Sequence, residues 1–361
     1  MKILKLLCLV CFSIFVISCA TNSNNISIKE NNNDFSSVIE RVKESIVYVM
    51  VSALEDPSID PTQNSACSGV VVENQYIITN YHCIHNQKYL RIFYWDKNDW
   101  EEHEVSIIGR DPLADLALLQ VTDKETSVPF LKFAEGELKV GEEVFAMGHP
   151  MGMTWTVTKG ILSSVDRFAR HPYVKAVQTD AAINKGNSGG PLLNMKGEIV
   201  AINSLMISKV SENAGLAISI RADIAKHSVK TMLEHGVVDR GALGIMITPL
   251  GDERQRNDIL KKNPKVDQKH IPNTLGLLIS QDKPIPEELK LWDTVVAIGG
   301  VPINNGIEFA DELSKYEIGK KVSITIIRRK RFIQLDIELK VFEVPVDEMY
   351  ARPGNIKPIL P

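Results

Sequence analysis

The sharpest chemical feature of the chain is a hydroxyl set among glycines, Gly186-Asn187-Ser188-Gly189-Gly190, followed by Pro191-Leu192. Serine attacks a carbonyl only when a base takes its proton and nearby N–H groups meet the developing oxyanion. Glycines on both sides allow the tight backbone this needs, and Gly186 can take up the positive φ that turns its own N–H toward a substrate. A base is available in Thr79-Asn80-Tyr81-His82-Cys83, where His82 stands just past an apolar strand-like run, Tyr76 to Ile78. An orienting acid is available in Asp111-Pro112-Leu113-Ala114-Asp115-Leu116-Ala117-Leu118-Leu119. Asp115 is an isolated carboxylate among apolar residues, and burying it is costly without a hydrogen-bonding partner such as His82. Asp111, next to Pro112, reads as a turn residue.

These residues are distant in sequence, so the elements between them must bring them together. Short strand-like runs occur at 46–51, 69–72, 76–79, 89–94, 104–109, 116–121 and 143–147, and again at 155–165, 174–179, 191–193, 198–203 and 215–220. Turn residues punctuate them, as in Gly109-Arg110-Asp111-Pro112 and Lys196-Gly197-Glu198. This pattern argues for a mainly β fold built of barrels or sandwiches, and against βαβ units. A short helix is expected near Val38, Ile39 and Val42. A longer one is expected over Arg221–His235, where Ile224, Ala225, Val229, Met232 and Leu233 share a face. A second region from about 238 has strands at 243–248, 275–279, 294–298, 322–327 and 332–340, a helix at about 306–315, and a charged segment, 251–270, with no assigned element.

Taken together, TNYHC, DPLADLALL and TDAAINKGNSGGPLL resemble the three triad segments of the HtrA/Deg proteases, a branch of the chymotrypsin-like serine proteases. The order His, Asp, Ser is that of the chymotrypsin-like fold; the strand following Pro191 excludes the strand-to-helix elbow of α/β-hydrolases. The resemblance, over about residues 35–342, implies a chymotrypsin-like double β-barrel over 35–237 and a smaller α+β PDZ domain, a partly open barrel, over 238–342. It implies His82 as general base, Asp115 as its orienting acid, Ser188 as nucleophile, and the N–H groups of Gly186 and Ser188 as the oxyanion hole. It places Ala182, Ile202, Ser204 and Ala217 around the specificity pocket. None carries charge, so cleavage after small or medium aliphatic residues is expected. Gly241, Ala242, Leu243, Gly244 and Ile245 resemble the carboxylate-binding loop of a PDZ domain, with a guest peptide added as a strand beside 245–248. The activity implied is that of an ATP-independent endopeptidase acting on unfolded or regulatory proteins, with C-terminal peptides as PDZ ligands and a homotrimer as the assembly. A peptide-binding adaptor or chaperone with an idle protease domain is the alternative.

Departures from the family pattern are Lys185 in place of proline, Trp292 in place of glycine before Asp293, and Cys67 and Cys83 in place of glycine and an aliphatic residue. The two cysteines match the disulfide that digestive chymotrypsin-like enzymes place beside the catalytic histidine; two buried free thiols are the other reading.

The N-terminus reads as a processing signal. Lys2 and Lys5 precede an apolar run, Leu6 to Ile17, too short to span a bilayer, which needs about 20 residues. Val16-Ile17-Ser18-Cys19 resembles the bacterial lipobox, which implies a signal peptide over 1–18 and lipidation at Cys19; an ordinary secretory signal or short anchor is the alternative. Residues 19–34, rich in Asn and Ser, read as a flexible tether, and 343–361, with four prolines, as a loose tail. Without residues 1–18 the five cysteines become three, one for lipid and one pair, which agrees with export to an oxidising cell envelope. The same removal takes two lysines and moves the net charge from −4 to −6. An acidic chain lacks the footprint of nucleic-acid binding. Its densest basic cluster, Arg328-Arg329-Lys330-Arg331, sits between alternating apolar runs and reads as a hairpin turn. No metal or cofactor cluster is visible, and none is expected.

Overall fold

The computed structural model describes residues 34–73, 76–96, 99–123, 128–150, 155–168, 174–206, 216–251, 253–264, 266, 271–280 and 286–341. The expected signal segment, the lipidation site Cys19, the tether up to residue 33 and the tail over 343–361 lie outside the described residues. The described residues from Val38 onward form one compact unit.

Helix α1 (Phe35–Val42) leads into the first barrel, whose strands are β1 (Ile46–Ser52), β2 (Asn64–Glu73), β3 (Tyr76–Thr79), β4 (Tyr89–Asp96), β5 (Asp99–Asp111) and β6 (Leu116–Val121). They close in the order β1-β2-β3-β6-β5-β4. A one-turn helix, α2 (Tyr81–Ile84), follows β3. Val47, Val49, Val51, Val71, Ile77, Ile92, Ala117 and Leu119 fill this barrel from alternate positions, as the period of two demands. The second barrel comprises β7 (Glu143–Gly148), β8 (Thr156–Phe168), β9 (Lys175–Thr179), β10 (Pro191–Asn194), β11 (Ile199–Met206) and β12 (Ala217–Arg221), closed as β10-β11-β12-β9-β8-β7. Closure leaves neither barrel an unpaired edge. The expected double β-barrel is therefore present.

Helix α3 (Ala222–His235) buries Ala225, Val229 and Met232 and ends at Gly236, whose φ of 77° lets its N–H return to the Met232 carbonyl at 2.9 Å. Its packing on β5 requires glycine there: a Cβ on Gly109 would lie 2.4 Å from Met232 Cβ.

The third region contains β13 (Gly241–Ala242), β14 (Ile247–Pro249), α4 (Glu253–Lys262), β15 (Leu277–Ile279), β16 (Thr294–Ile298), β17 (Val301–Pro302), α5 (Gly306–Leu313), β18 (Lys321–Arg328), β19 (Arg331–Glu338) and β20 (Lys340–Val341). One sheet runs β14-β15-β16-β18-β19, with β17 on β16, while β13 pairs with β20. Phe309 and Leu313 of α5 pack on Leu277, Val295, Ile324 and Ile326. Helix α4 was not expected within the charged segment 251–270. It buries none of its ten residues, and only Ile259 and Leu260 pack against Leu250, Ile271 and Leu278, so no apolar stripe marks it in the sequence. The basic cluster is the expected hairpin turn: Arg328 pairs with Arg331 across it, and Arg329 and Lys330 take φ of 49° and 67°. Arg328 is committed to the buried Asp293, its Nε 2.8 Å from Oδ1 and its Nη2 2.6 Å from Oδ2. No described helix is long and apolar enough to cross a membrane.

Candidate active site

His82 owes its outlook to the turn that carries it. Tyr81, Cys83 and Ile84 of α2 join the core of the first barrel, so the remaining residue of the turn faces out, with its side chain 28% exposed. Burying those neighbours stabilises the turn by roughly 1.5–3 kcal/mol for each large side chain. Asn80, at the start of the turn, donates its side-chain N–H to the Asp115 carbonyl at 2.9 Å, and the Tyr81 N–H reaches the same oxygen at 3.0 Å.

Asp115 closes the turn after β5 in a left-handed conformation, φ 58°, which aspartate tolerates better than most residues. It is 1% exposed, and its carboxylate is well supplied with donors. Oδ1 accepts the His82 main-chain N–H at 2.9 Å and lies 3.0 Å from His82 Nδ1; Oδ2 lies 2.8 Å from Nδ1 and accepts Ser204 Oγ at 2.5 Å. A carboxylate on Nδ1 fixes the proton there and leaves Nε2 as the basic nitrogen.

Ser188 comes from the other barrel, on the loop before β10, and is half-buried. The crossing of the two barrels fixes its place. Ser68 of β2 donates its N–H to the Ser188 carbonyl at 2.8 Å and its hydroxyl to the Gly186 carbonyl at 2.6 Å, while accepting the His149 N–H at 2.9 Å. Gly189 passes so close that a Cβ there would lie 2.3 Å from the Ser68 carbonyl, 2.4 Å from Thr79 Oγ1 and 2.9 Å from the Asn80 nitrogen. Asn80 immediately precedes α2, so the loop of Ser188 and the turn of His82 meet at this crossing. Gly186 has φ 101°, the positive value its expected role requires.

The other expected residues fall as follows. Cys67 and Cys83 are joined in a disulfide, Cα atoms 6.3 Å apart, and Cys83 Sγ lies 3.7 Å from His82 Nε2. Ile202 and Ala217 are buried at 0% and 2% exposure, and Ala182 is half-buried with its carbonyl bound by Thr158 Oγ1 at 2.8 Å. Ser204 is buried, and its hydroxyl donates to Asp115 Oδ2. Lys185 is exposed. In the third region Gly241 and Ala242 lie in β13, paired with Val341 and Lys340, rather than in a loop; Leu243 is buried, and Gly244 is exposed with φ 65°.

Two features were missed from the sequence. Ser68, the hub between the barrels, stands in an unremarkable strand. Asp111 caps the Ala114 N–H at 3.0 Å, as a turn residue should, but it is also fully buried. It accepts Ser228 Oγ at 2.6 Å and pairs with Arg240, just before β13.

A family profile described as the trypsin-like peptidase domain matches residues 67–202. The chain is 32% identical over 282 residues to the periplasmic serine endoprotease DegP of Salmonella typhimurium, covering 76% of this chain and 56% of that one. It is 30% identical over 336 residues to a probable periplasmic DegP-like serine endoprotease of Rickettsia conorii, covering 90% and 61%. It thus spans little more than half the length of these curated relatives. In fold it is similar to the HtrA-type protease AlgW solved with a tripeptide, with a TM-score of 0.70 and 24% identity over 86% of this chain and 98% of that one. A serine endoprotease from Yersinia pestis gives a TM-score of 0.64 at 23% identity, covering 86% and 98%.

Proposed function

The chain belongs to the HtrA/Deg serine proteases, and from this premise we propose that it is an ATP-independent serine endopeptidase of a bacterial cell envelope. The observation that carries the reading is the buried Asp115 carboxylate holding His82 Nδ1 beside the loop of Ser188. Ser188 Oγ attacks the scissile carbonyl as His82 Nε2 takes its proton, and Asp115 stabilises the imidazolium that forms. The N–H groups of Gly186 and Ser188 receive the oxyanion. His82 then protonates the leaving amine, and water, activated by the same ring, hydrolyses the acyl-enzyme. The residues assigned to the pocket, Ala182, Ile202, Ser204 and Ala217, carry no charge, which favours small or medium aliphatic residues before the cut.

The third region acts in this reading as a PDZ domain. It captures a peptide C-terminus near 241–245 and adds the peptide along β14, an end strand of its sheet. Substrates are unfolded or regulatory proteins, the assembly is a homotrimer, and Cys19 carries a lipid anchor. Casein cleavage by wild type and by Ser188→Ala tests the activity: the variant loses at least about 10³-fold. Equal cleavage by both would favour the idle, peptide-binding reading.

A further inference from the structure

Beside the triad lies a group of atoms that the protease reading leaves unused. Cys67 Sγ, Cys83 Sγ and a ring nitrogen of His82 all lie within 4.8 Å of one another. In the described state the sulfurs are joined and cannot bind a metal. Once separated, they and the imidazole form a Cys₂His donor set, which suits zinc. At Zn–S of about 2.3 Å and Zn–N of about 2.0 Å, tetrahedral geometry sets S and N about 3.5 Å apart. Cys83 Sγ and His82 Nε2 are already 3.7 Å apart.

The far side of the ring favours the same outcome. A metal-binding histidine characteristically donates its other N–H to a carboxylate, which fixes the tautomer and raises the basicity of the ligating nitrogen. Asp115 provides that support at His82 Nδ1, 2.8 Å away. Both sulfurs are anchored in the first barrel core, with Cys67 7% and Cys83 3% exposed, so the set is held on rigid elements. The His82 side chain, 28% exposed, gives an ion access from solvent.

We propose that reduction of the Cys67–Cys83 disulfide creates a zinc site of Cys67 Sγ, Cys83 Sγ and His82 Nε2. A dithiol reductant supplies the two electrons and is itself oxidised to a disulfide, leaving two thiols on this chain. Zinc then displaces both thiol protons to solvent as the two Zn–S bonds form, and takes the lone pair of Nε2. That lone pair is the one that would accept the Ser188 proton, so the metal-bound form is inactive. The site itself rests on the cysteine and histidine geometry alone; only the loss of activity rests on the proposed protease function.

The test uses the full chain with Cys8, Cys11 and Cys19 each replaced by Ser, so that Cys67 and Cys83 are its only cysteines, oxidised or reduced with a phosphine that is then removed by desalting under argon. Zinc is titrated against a chromogenic chelator, and Co²⁺ serves as a spectroscopic probe of tetrahedral thiolate coordination. The reduced chain is expected to bind one zinc with a thiolate-to-cobalt band, and the oxidised chain none. His82→Ala, which leaves both cysteines, should weaken binding at least tenfold, and Asp115→Asn by about 10–100-fold. Circular dichroism of each reduced variant confirms that it is folded. Failure of the folded, reduced wild type to bind one equivalent, or unchanged affinity in His82→Ala, would overturn the site. Peptidase activity that persists at saturating zinc in the reduced chain would overturn the inhibition while leaving the protease reading intact.

Discussion

Asp115 holds His82 from two directions, accepting its main-chain N–H at 2.9 Å and its ring Nδ1 at 2.8 Å, so backbone and side chain of the base are fixed by one carboxylate. Asp115→Asn keeps the shape but offers the ring an amide, which favours the wrong tautomer. Peptide hydrolysis should fall about 10⁴-fold in kcat with little change in KM. Folding should survive, because an amide oxygen can still accept the His82 main-chain N–H; thermal denaturation checks this.

Ser204 is a positioning residue for the same carboxylate, through its 2.5 Å hydrogen bond to Oδ2. A hydrogen bond to a charged group is worth about 1.5–3 kcal/mol, and Asp115 retains its other donors. Ser204→Ala should therefore lower kcat about tenfold, while Ser204→Thr restores part of it. A loss confined to KM would return this residue to the specificity pocket alone.

Gly189 admits no side chain. Its φ is 82°, and the clash with the Ser68 carbonyl and Thr79 Oγ1 falls where the two barrels cross. Gly189→Ala should destabilise by about 3 kcal/mol, combining left-handed strain with overpacking, and should displace Ser188. Urea denaturation and casein cleavage read the two effects; an alanine variant with native activity would show that the crossing is looser than it stands here.

Arg240 faces Asp111, a carboxylate with no exposure, from across 129 residues of chain. Removing one partner leaves a buried charge on Ser228 and the Ala114 N–H alone. Arg240→Ala should cost about 3 kcal/mol, and adding Asp111→Asn should recover much of it. A double-mutant cycle by urea unfolding measures the coupling, and additive losses would reject it.

How much of this could be read from the sequence depends on whether a residue's role is local. The strands at 76–79, 116–121 and 294–298 coincide with their expected ranges because alternation and turn residues act over a few positions. His82 and Ser188 stand out because their chemistry demands unusual neighbours. Ser68 does not, and neither does the bond of Ser204 to Asp115, because a serine in a strand gains such partners only from what crosses it in space. Asp111 was half legible: Pro112 marks the turn it caps, but nothing near it announces Arg240. Helix α4 was hidden for another reason, since a helix with an almost wholly polar surface has no periodic stripe to detect.

Each barrel is drawn from one uninterrupted stretch, residues 46–121 for the first and 143–221 for the second. In the proposed mechanism base and acid are both encoded in the earlier stretch, the attacking hydroxyl in the later one. During synthesis the earlier stretch thus emerges without the hydroxyl that the proposed reaction needs. On the proposed reading, peptide cleavage becomes possible only when the second stretch has folded and docked, so a chain stalled before it lacks the means to cut. Order along the gene acts here as a safety catch.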